Sequence, residues 1–250
     1  MKKDIIVGLD LGTTKVCAVI AEKIPEQNRI DVLGFGVAPS EGLHKGLVAN
    51  IGKTAEAIKS AMAIASNRAG FEVTVVNVGV AGEHITSMRH RNYVTINRDE
   101  KEITKEDLER LEADVRTIRI PSDRQILHII PEEFSIDHQS GIENPIGMSG
   151  SRLEASNHVV LASIPAMENI RKSVERAGYQ VQDYILQPIA SSASVLEESE
   201  KDLGVALIDI GGGTTDIAIY HKTAIKHTRV IGVAGNQVTN DIRESLGVMT

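Results

Sequence analysis

Val205–Tyr220 reads VALIDIGGGTTDIAIY. An apolar strand runs into Asp209. Three glycines and two threonines follow, and a second apolar strand begins after Asp216. The three consecutive glycines leave backbone N–H groups bare, so an anion can approach closely. The hydroxyls of Thr214 and Thr215 add donors. Asp209 and Asp216 flank the turn, where they would repel a phosphate unless a divalent cation stood between them. Taken alone, the stretch also fits a plain glycine-rich β-hairpin turn.

Residues 5–19, IIVGLDLGTTKVCAV, repeat the pattern. An apolar strand leads to Asp10, an aliphatic residue, Gly12, Thr13-Thr14, a charged residue and a second apolar strand. With the threonine pairs aligned, the later copy carries two extra residues in its glycine zone. Such an internal repeat predicts two similar domains, each offering a phosphate-contacting turn to a shared cleft. The predicted nucleotide contacts are Gly12, Thr13, Thr14 and Lys15 from the first copy and Gly211, Gly212, Gly213, Thr214 and Thr215 from the second. Lys15 would bring positive charge to the phosphates. Asp10, Asp209 and Asp216 would hold a Mg²⁺ ion, mostly through its water shell.

The bulk properties narrow the function classes. A chain of 250 residues with 42% hydrophobic and 24% charged residues has the make-up of a soluble globular protein of one or two domains. Its net charge of −7 argues against a general nucleic-acid surface. The single Cys17 excludes an intrachain disulfide and fits a reducing compartment. It lies in the apolar run VCAVIA, which reads as a small buried hydrophobe rather than a nucleophile. Asp4, Asp10 and Lys15 interrupt any signal-peptide core near the start. No apolar run is long enough to span a bilayer as a helix, and no basic amphipathic helix is evident.

Ile5–Leu9, Val16–Ala21 and Ile30–Val37 read as a three-stranded meander. The GFGVAP of the third strand lacks the last glycine and helix start of a dinucleotide loop. Residues 40–50 read as a glycine-punctuated loop. Ile51–Ala69 then gives a helix with Ile51, Ala55, Ile58, Met62 and Ala65 on one face, ended by Gly70. Val73–Ala81 is a strand. Residues 84–163 are richer in charge and read as an inserted α+β subdomain. It holds short strands at Ile85–Met88 and Tyr93–Asn97, a helix at Thr104–Ile118, and strands at Ile126–Ile136 and Glu154–Ile164. His128, His138 and His158 fall there without metal-ligand spacing.

Pro165 opens a helix that Gly178 ends. After the strand Val181–Leu186, Gln187 starts another helix, whose N-terminus favours anions. Its amide is placed to orient a water for attack on a phosphate, which makes Gln187, together with Asp209, the catalytic candidate. Glu197–Asp202 reads as a charged surface connection between domains. Strand Ala224–Val230 leads to a glycine-started helix beginning near Gln237, with Gly235 and Asn236 placed to approach a ribose or phosphate edge. The sequence ends one helix into its second domain, which predicts a fragment or a truncated form.

Two Asp-Gly-Thr hairpins joined by a short connecting helix resemble the actin/sugar-kinase/Hsp70 superfamily. VGLDLGTTKV, APSEGLHKGLVANI, GVAGEHITS, DRQILHIIPEEF, NPIGMSGSRLEA and VAGNQVTNDI, with the opening stretch, resemble the bacterial cell-division family FtsA over the whole chain. The resemblance implies an α/β, actin-like ATPase (ribonuclease H-like) fold. Residues 1–83 and 164–198 would be subdomain 1A, 84–163 the inserted subdomain 1C, and 199–250 the start of subdomain 2A. It further implies that ATP and Mg²⁺ bind in the interdomain cleft and that the protein self-associates into filaments. Such a protein links FtsZ to the cytoplasmic face of the inner membrane at the septum through a C-terminal helix. Later division proteins would be recruited through residues 84–163. The adenine-side contacts, the FtsZ site and the anchor would all lie beyond Thr250. The chain as given would therefore bind nucleotide weakly. Ala234 before Gly235 departs from the Gly-Gly-Asn common in the family. An Hsp70-like ATPase, a sugar kinase and a type IV pilus actin homologue share the fold. MSGSRLEA and VTNDI favour FtsA.

Overall fold

A computed structural model describes residues 4–27, 29–97 and 101–248. β1 (Ile5–Leu11), β2 (Lys15–Ile24) and β3 (Arg29–Pro39) form the expected antiparallel meander. The predicted loop at 40–50 contains a small hairpin, β4 (Leu43–His44) and β5 (Leu47–Val48). The chain then enters α1 (Ile51–Ala69), which starts and stops where its capping residues dictate. Asn50 Oδ1 accepts the Lys53 N–H at 3.0 Å, and Gly70, at φ 81°, donates its N–H to the Ser66 carbonyl. β6 (Val75–Val80) returns parallel to β1, and β11 (Gln180–Leu186) lies parallel to β6. The resulting sheet has the order β11-β6-β1-β2-β3.

The apolar alternation of these strands sends Val16, Ala18, Ile20, Val76 and Val78 to one face. They are fully buried in one core with Ile58, Met62, Ala61 and Ala65 of α1. β3 meets the helix through Gly34 and Gly36. A Cβ on Gly36 would stand 2.0 Å from the Ala61 carbonyl oxygen, and one on Gly34 would stand 2.3 Å from that of Ala65. The GFG segment thus serves close helix–strand packing.

Between β6 and the next helix of this layer, the chain makes β7 (Ile85–Thr95), α2 (Lys105–Val115), β8 (Arg124–Ile136), β9 (Gln139–Ile142) and β10 (Arg152–Ser163). The four strands form an antiparallel sheet ordered β7-β10-β8-β9, with α2 on one face. The two strands expected at 85–88 and 93–97 are a single one. β10 pairs with it without a break, from Ile85↔Ala162 to Thr95↔Arg152. The polar run Arg89-His90-Arg91-Asn92 looks like an interruption because the pairing is invisible in sequence. Asn92 is in fact buried, with its amide donating to the Leu111 carbonyl and accepting from Asn157 at 3.0 Å. The N-terminus of α2 carries a capping box: Asp107 Oδ2 accepts the Thr104 N–H at 2.9 Å.

α3 (Ile164–Arg176) and α4 (Gln187–Val195) start with Pro165 and Pro188 in their first turns. The connection at 197–202 is a helix, α5 (Glu198–Leu203), because Glu197 and Glu200 form a reciprocal cap around its first turn. β12 (Val205–Ile210), β13 (Thr215–His221) and β14 (Ala224–Ile231) make a second antiparallel meander. α6 (Gly235–Leu246) begins two residues earlier than the apolar spacing suggests, so Gly235 and Asn236 lie inside it. Its Val238, Ile242 and Leu246 share a side that is more than half exposed. Among the described residues no helix is long and apolar enough to cross a membrane.

Candidate functional site: a cleft between two equal hairpins

The two repeats form turns of identical length. Asp10 pairs with Cys17 and Leu11 with Val16, which leaves Gly12–Lys15 as the turn. Asp209 pairs with Asp216 and Ile210 with Thr215, which leaves Gly211–Thr214. The first glycine closes each turn in the same way: Gly12 N–H to the Lys15 carbonyl at 3.0 Å, Gly211 N–H to the Thr214 carbonyl at 2.9 Å. The two-residue gap required to align the threonine pairs is therefore absent. Gly212 and Gly213 occupy the places of Thr13 and Thr14, Thr214 that of Lys15, and Asp216 that of Cys17.

This exchange has a steric reason. The turns touch, and a Cβ on Gly212 would come within 2.3 Å of Thr14 Cγ2, while one on Gly213 would come within 2.5 Å of Thr13 Oγ1. Threonine on one side demands bare backbone on the other.

Both turns line one cavity of about 600 Å³. Asp10, Gly12, Thr13, Thr14, Lys15, Gln187, Asp209, Gly211, Gly212, Gly213, Thr214 and Asp216 all face it. Thr215, Gly235 and Asn236 do not. Thr215 Oγ1 donates to the Val233 carbonyl at 2.7 Å. The N–H groups of Gly235 and Asn236 donate to the carbonyls of Gly211 and Gly212 at 3.0 and 2.9 Å. These three residues brace the glycine turn from behind, spending on it the donors that sequence reading assigned to a ligand. Cys17, Asn77, Gly79, Ile185, Ser191 and Ser194 are among the other residues of the wall. No site signal in the sequence marks Asn77, Ile185, Ser191 or Ser194, and only the strand pairing brings Asn77 and Gly79 beside Gly8 and Asp10.

The carboxylates are the strained part of the site. Asp216 is buried, and its Oδ1 has no hydrogen-bond partner, while Oδ2 accepts from Thr214 Oγ1 at 3.1 Å. Burial pushes its carboxyl up to about 6, against the Thr214 hydrogen bond and with help from Asp209 and Asp10. Burial also raises Asp10; the Lys15 ammonium pulls it back, Asp209 pushes it further up, and the Gln187 hydrogen bond opposes the rise. Among the described residues no three His, Cys, Asp or Glu side chains stand close enough to grip a metal directly. The orphaned Asp216 oxygen and the mutual repulsion of three carboxylates fit a cation held at one remove, through its water shell.

Gln187 sits at the start of α4, and Gly79 leaves room for it: a Cβ there would meet Gln187 Cγ at 3.3 Å. Its Nε2 donates to Asp10 Oδ1 at 2.6 Å. Two histidines of the insertion, His128 and His158, have structural partners. His158 Nε2 lies 2.9 Å from Thr228 Oγ1, and His128 Nε2 accepts the Leu186 N–H at 3.0 Å. Burial keeps both below the ordinary imidazole value, His158 at about 4. Cys17 is only partly buried and lines the cavity, so it is not the buried core residue its apolar run suggests. Its thiol is pushed up by burial and by Asp10, which disfavours the nucleophilic thiolate.

A family model for the "SHS2 domain inserted in FTSA" matches residues 82–161, and a model for "Cell division protein FtsA" matches residues 206–250. The chain is 46% identical over 245 residues to the cell division protein FtsA of Pseudomonas aeruginosa, and 44% identical over 238 residues to that of Neisseria meningitidis. The chain belongs to the FtsA family. The two alignments take in 98% and 95% of this FtsA-family chain but 58% and 57% of the relatives, so it spans less than three-fifths of their length. Among solved structures, the PilM–PilN type IV pilus biogenesis complex superposes with a TM-score of 0.73 at 17% identity, over 98% of this chain and 66% of that one. At that identity the likeness concerns the fold, which is actin-like.

Proposed function

We propose that the cleft is a nucleotide site that takes ATP with Mg²⁺, and that the protein acts as an actin-like adaptor in bacterial cell division. One observation carries the reading of the site. Two hairpins of equal length present their glycine-threonine turns, an aspartate each and the Lys15 ammonium to a single cavity. Backbone N–H groups and a lysine suit phosphates. In this reading Asp10, Asp209 and Asp216 hold the hydrated cation, which when bound neutralises phosphate charge. Gln187 acts from α4, beside Asp10. Its nitrogen is engaged by that carboxylate, so its carbonyl oxygen is the atom free to meet a water. Thr215, Gly235 and Asn236 support the site as the brace of the glycine turn.

Family membership supports the cellular role. In this reading residues 1–83 and 164–198 form subdomain 1A, 84–163 form 1C and 199–250 begin 2A. The protein self-associates into filaments and links FtsZ to the cytoplasmic membrane at the septum. Residues 84–163 recruit later division proteins. A pilus-assembly role is less well supported, since the likeness on that side is one of fold at 17% identity.

Asp10→Ala and Asp209→Ala test the site. Each is expected to abolish the Mg²⁺-dependent part of ATP binding in calorimetry. An ATP affinity that is unchanged in both variants, with and without Mg²⁺, contradicts the assignment.

A further inference from the structure

α4 is short, and its two sides are committed differently. On one side Ser192, which is buried, accepts from Tyr220 Oη at 2.5 Å, fixing the helix to β13 of the second hairpin. The other side faces the cleft. There Gln187 Nε2 donates to Asp10 Oδ1 of the first hairpin, and Ser191 Oγ lies 3.4 Å from Asp209 Oδ2 of the second. Gln187 and Ser191 are four residues apart, so they stand one above the other on the same helical face, separated by roughly 6 Å of axis. One rigid turn therefore touches the equivalent aspartate of each repeat. Each contact occupies one carboxylate oxygen: Oδ1 of Asp10 and Oδ2 of Asp209.

We propose that Ser191 is a positioning residue for Asp209, and that the Gln187/Ser191 face of α4 sets the separation at which the two hairpin aspartates share a divalent cation. This inference rests on the nucleotide-site reading above. Because Ser192 ties α4 to β13, Ser191 and Asp209 move together as one body. Gln187–Asp10 is then the bond that reports whether the hairpins stand at the right distance. The Ser191 hydroxyl hydrogen-bonds the Asp209 side chain and not the turn amides, so its removal acts on cation dependence and leaves the phosphate-binding amides in place.

The test is Ser191→Ala beside Ser191→Thr, which keeps the hydroxyl, with Asp209→Ala as a control. ATP affinity is measured by calorimetry across a Mg²⁺ titration and in chelator. Losing one hydrogen bond to a carboxylate is expected to raise the Mg²⁺ concentration for half-maximal enhancement about fivefold. Affinity in chelator and the ligand-free melting temperature should not move, and Ser191→Thr should restore the original Mg²⁺ dependence. Identical Mg²⁺ curves for Ser191→Ala and the unsubstituted protein, with the control losing its Mg²⁺ response, overturn the role of Ser191 alone. A control variant that keeps its Mg²⁺ response, or an unsubstituted protein without one, removes the site reading and this inference with it.

Discussion

Asp216 shows what a single side chain contributes. Its folded carboxyl titrates near 6 against an ordinary 3.8, so in the window from about 4 to about 6 the folded chain binds a proton that the unfolded chain has lost. Stability should therefore fall as pH rises through that window, by at most about 3 kcal/mol. His84 and His158 work in the opposite direction. Both are held neutral by burial, near 4 against 6.5, so the unfolded chain binds protons first as pH drops from 6.5 to 4 and stability falls on acidification. In the unsubstituted protein the two trends partly cancel. Asp216→Asn removes one of them. We expect the variant to be more stable than the parent at pH 7 without ligand and to lose more stability on going from pH 7 to pH 5, as measured by urea unfolding. A variant less stable than the parent at pH 7 would contradict the buried-charge account. None of this was legible in the sequence, where Asp216 looks like the counterpart of Lys15. Only the strand pairing reveals that its structural counterpart is Cys17.

Elements were the most legible scale. The boundaries of α1 follow from Asn50, an apolar face at helical spacing and Gly70, all local signals. Where an element depends on a distant partner, local signals failed. β7 looked like two strands because a buried asparagine network resembles a surface run. α5 looked like a connection because its charges conceal a capping box. The GFG of β3 had no visible purpose until α1 lay against it. Gly36→Val should therefore be severely destabilising, by several kcal/mol, since its first added carbon would stand 2.0 Å from a backbone oxygen that cannot withdraw. Gly8→Ala meets nothing within 4 Å and makes a fair control. Thermal melts of the two variants give the comparison, and equal melting temperatures would refute the packing argument.

At the scale of the whole molecule, the repeat was legible and its geometry was not. Asp10, the first turn and the glycine triplet all reach the cavity as their residue types suggest. Thr215, Gly235 and Asn236 share that chemistry but lie behind the turn. Residue type alone does not say on which side of a backbone a donor will face. The inserted sheet was visible as a change in charge, and its strand order β7-β10-β8-β9 became apparent only in three dimensions. The insertion is tied to the second meander by His158 and Thr228 and by Lys226, whose Nζ donates to the Glu132 carbonyl at 3.2 Å. Those contacts help place β14, and with it the braced glycine turn, opposite the first hairpin.

The central claim is that both turns serve one ligand. Amide hydrogen exchange at Thr13–Thr14 and Gly212–Gly213, with and without Mg²⁺-ATP, tests it most directly, because the Gly12 and Gly211 N–H groups already close their own turns. Protection that rises in both turns together, at the same nucleotide concentration, is the predicted result. Protection confined to one turn, or absent from both while ATP is bound, would contradict it.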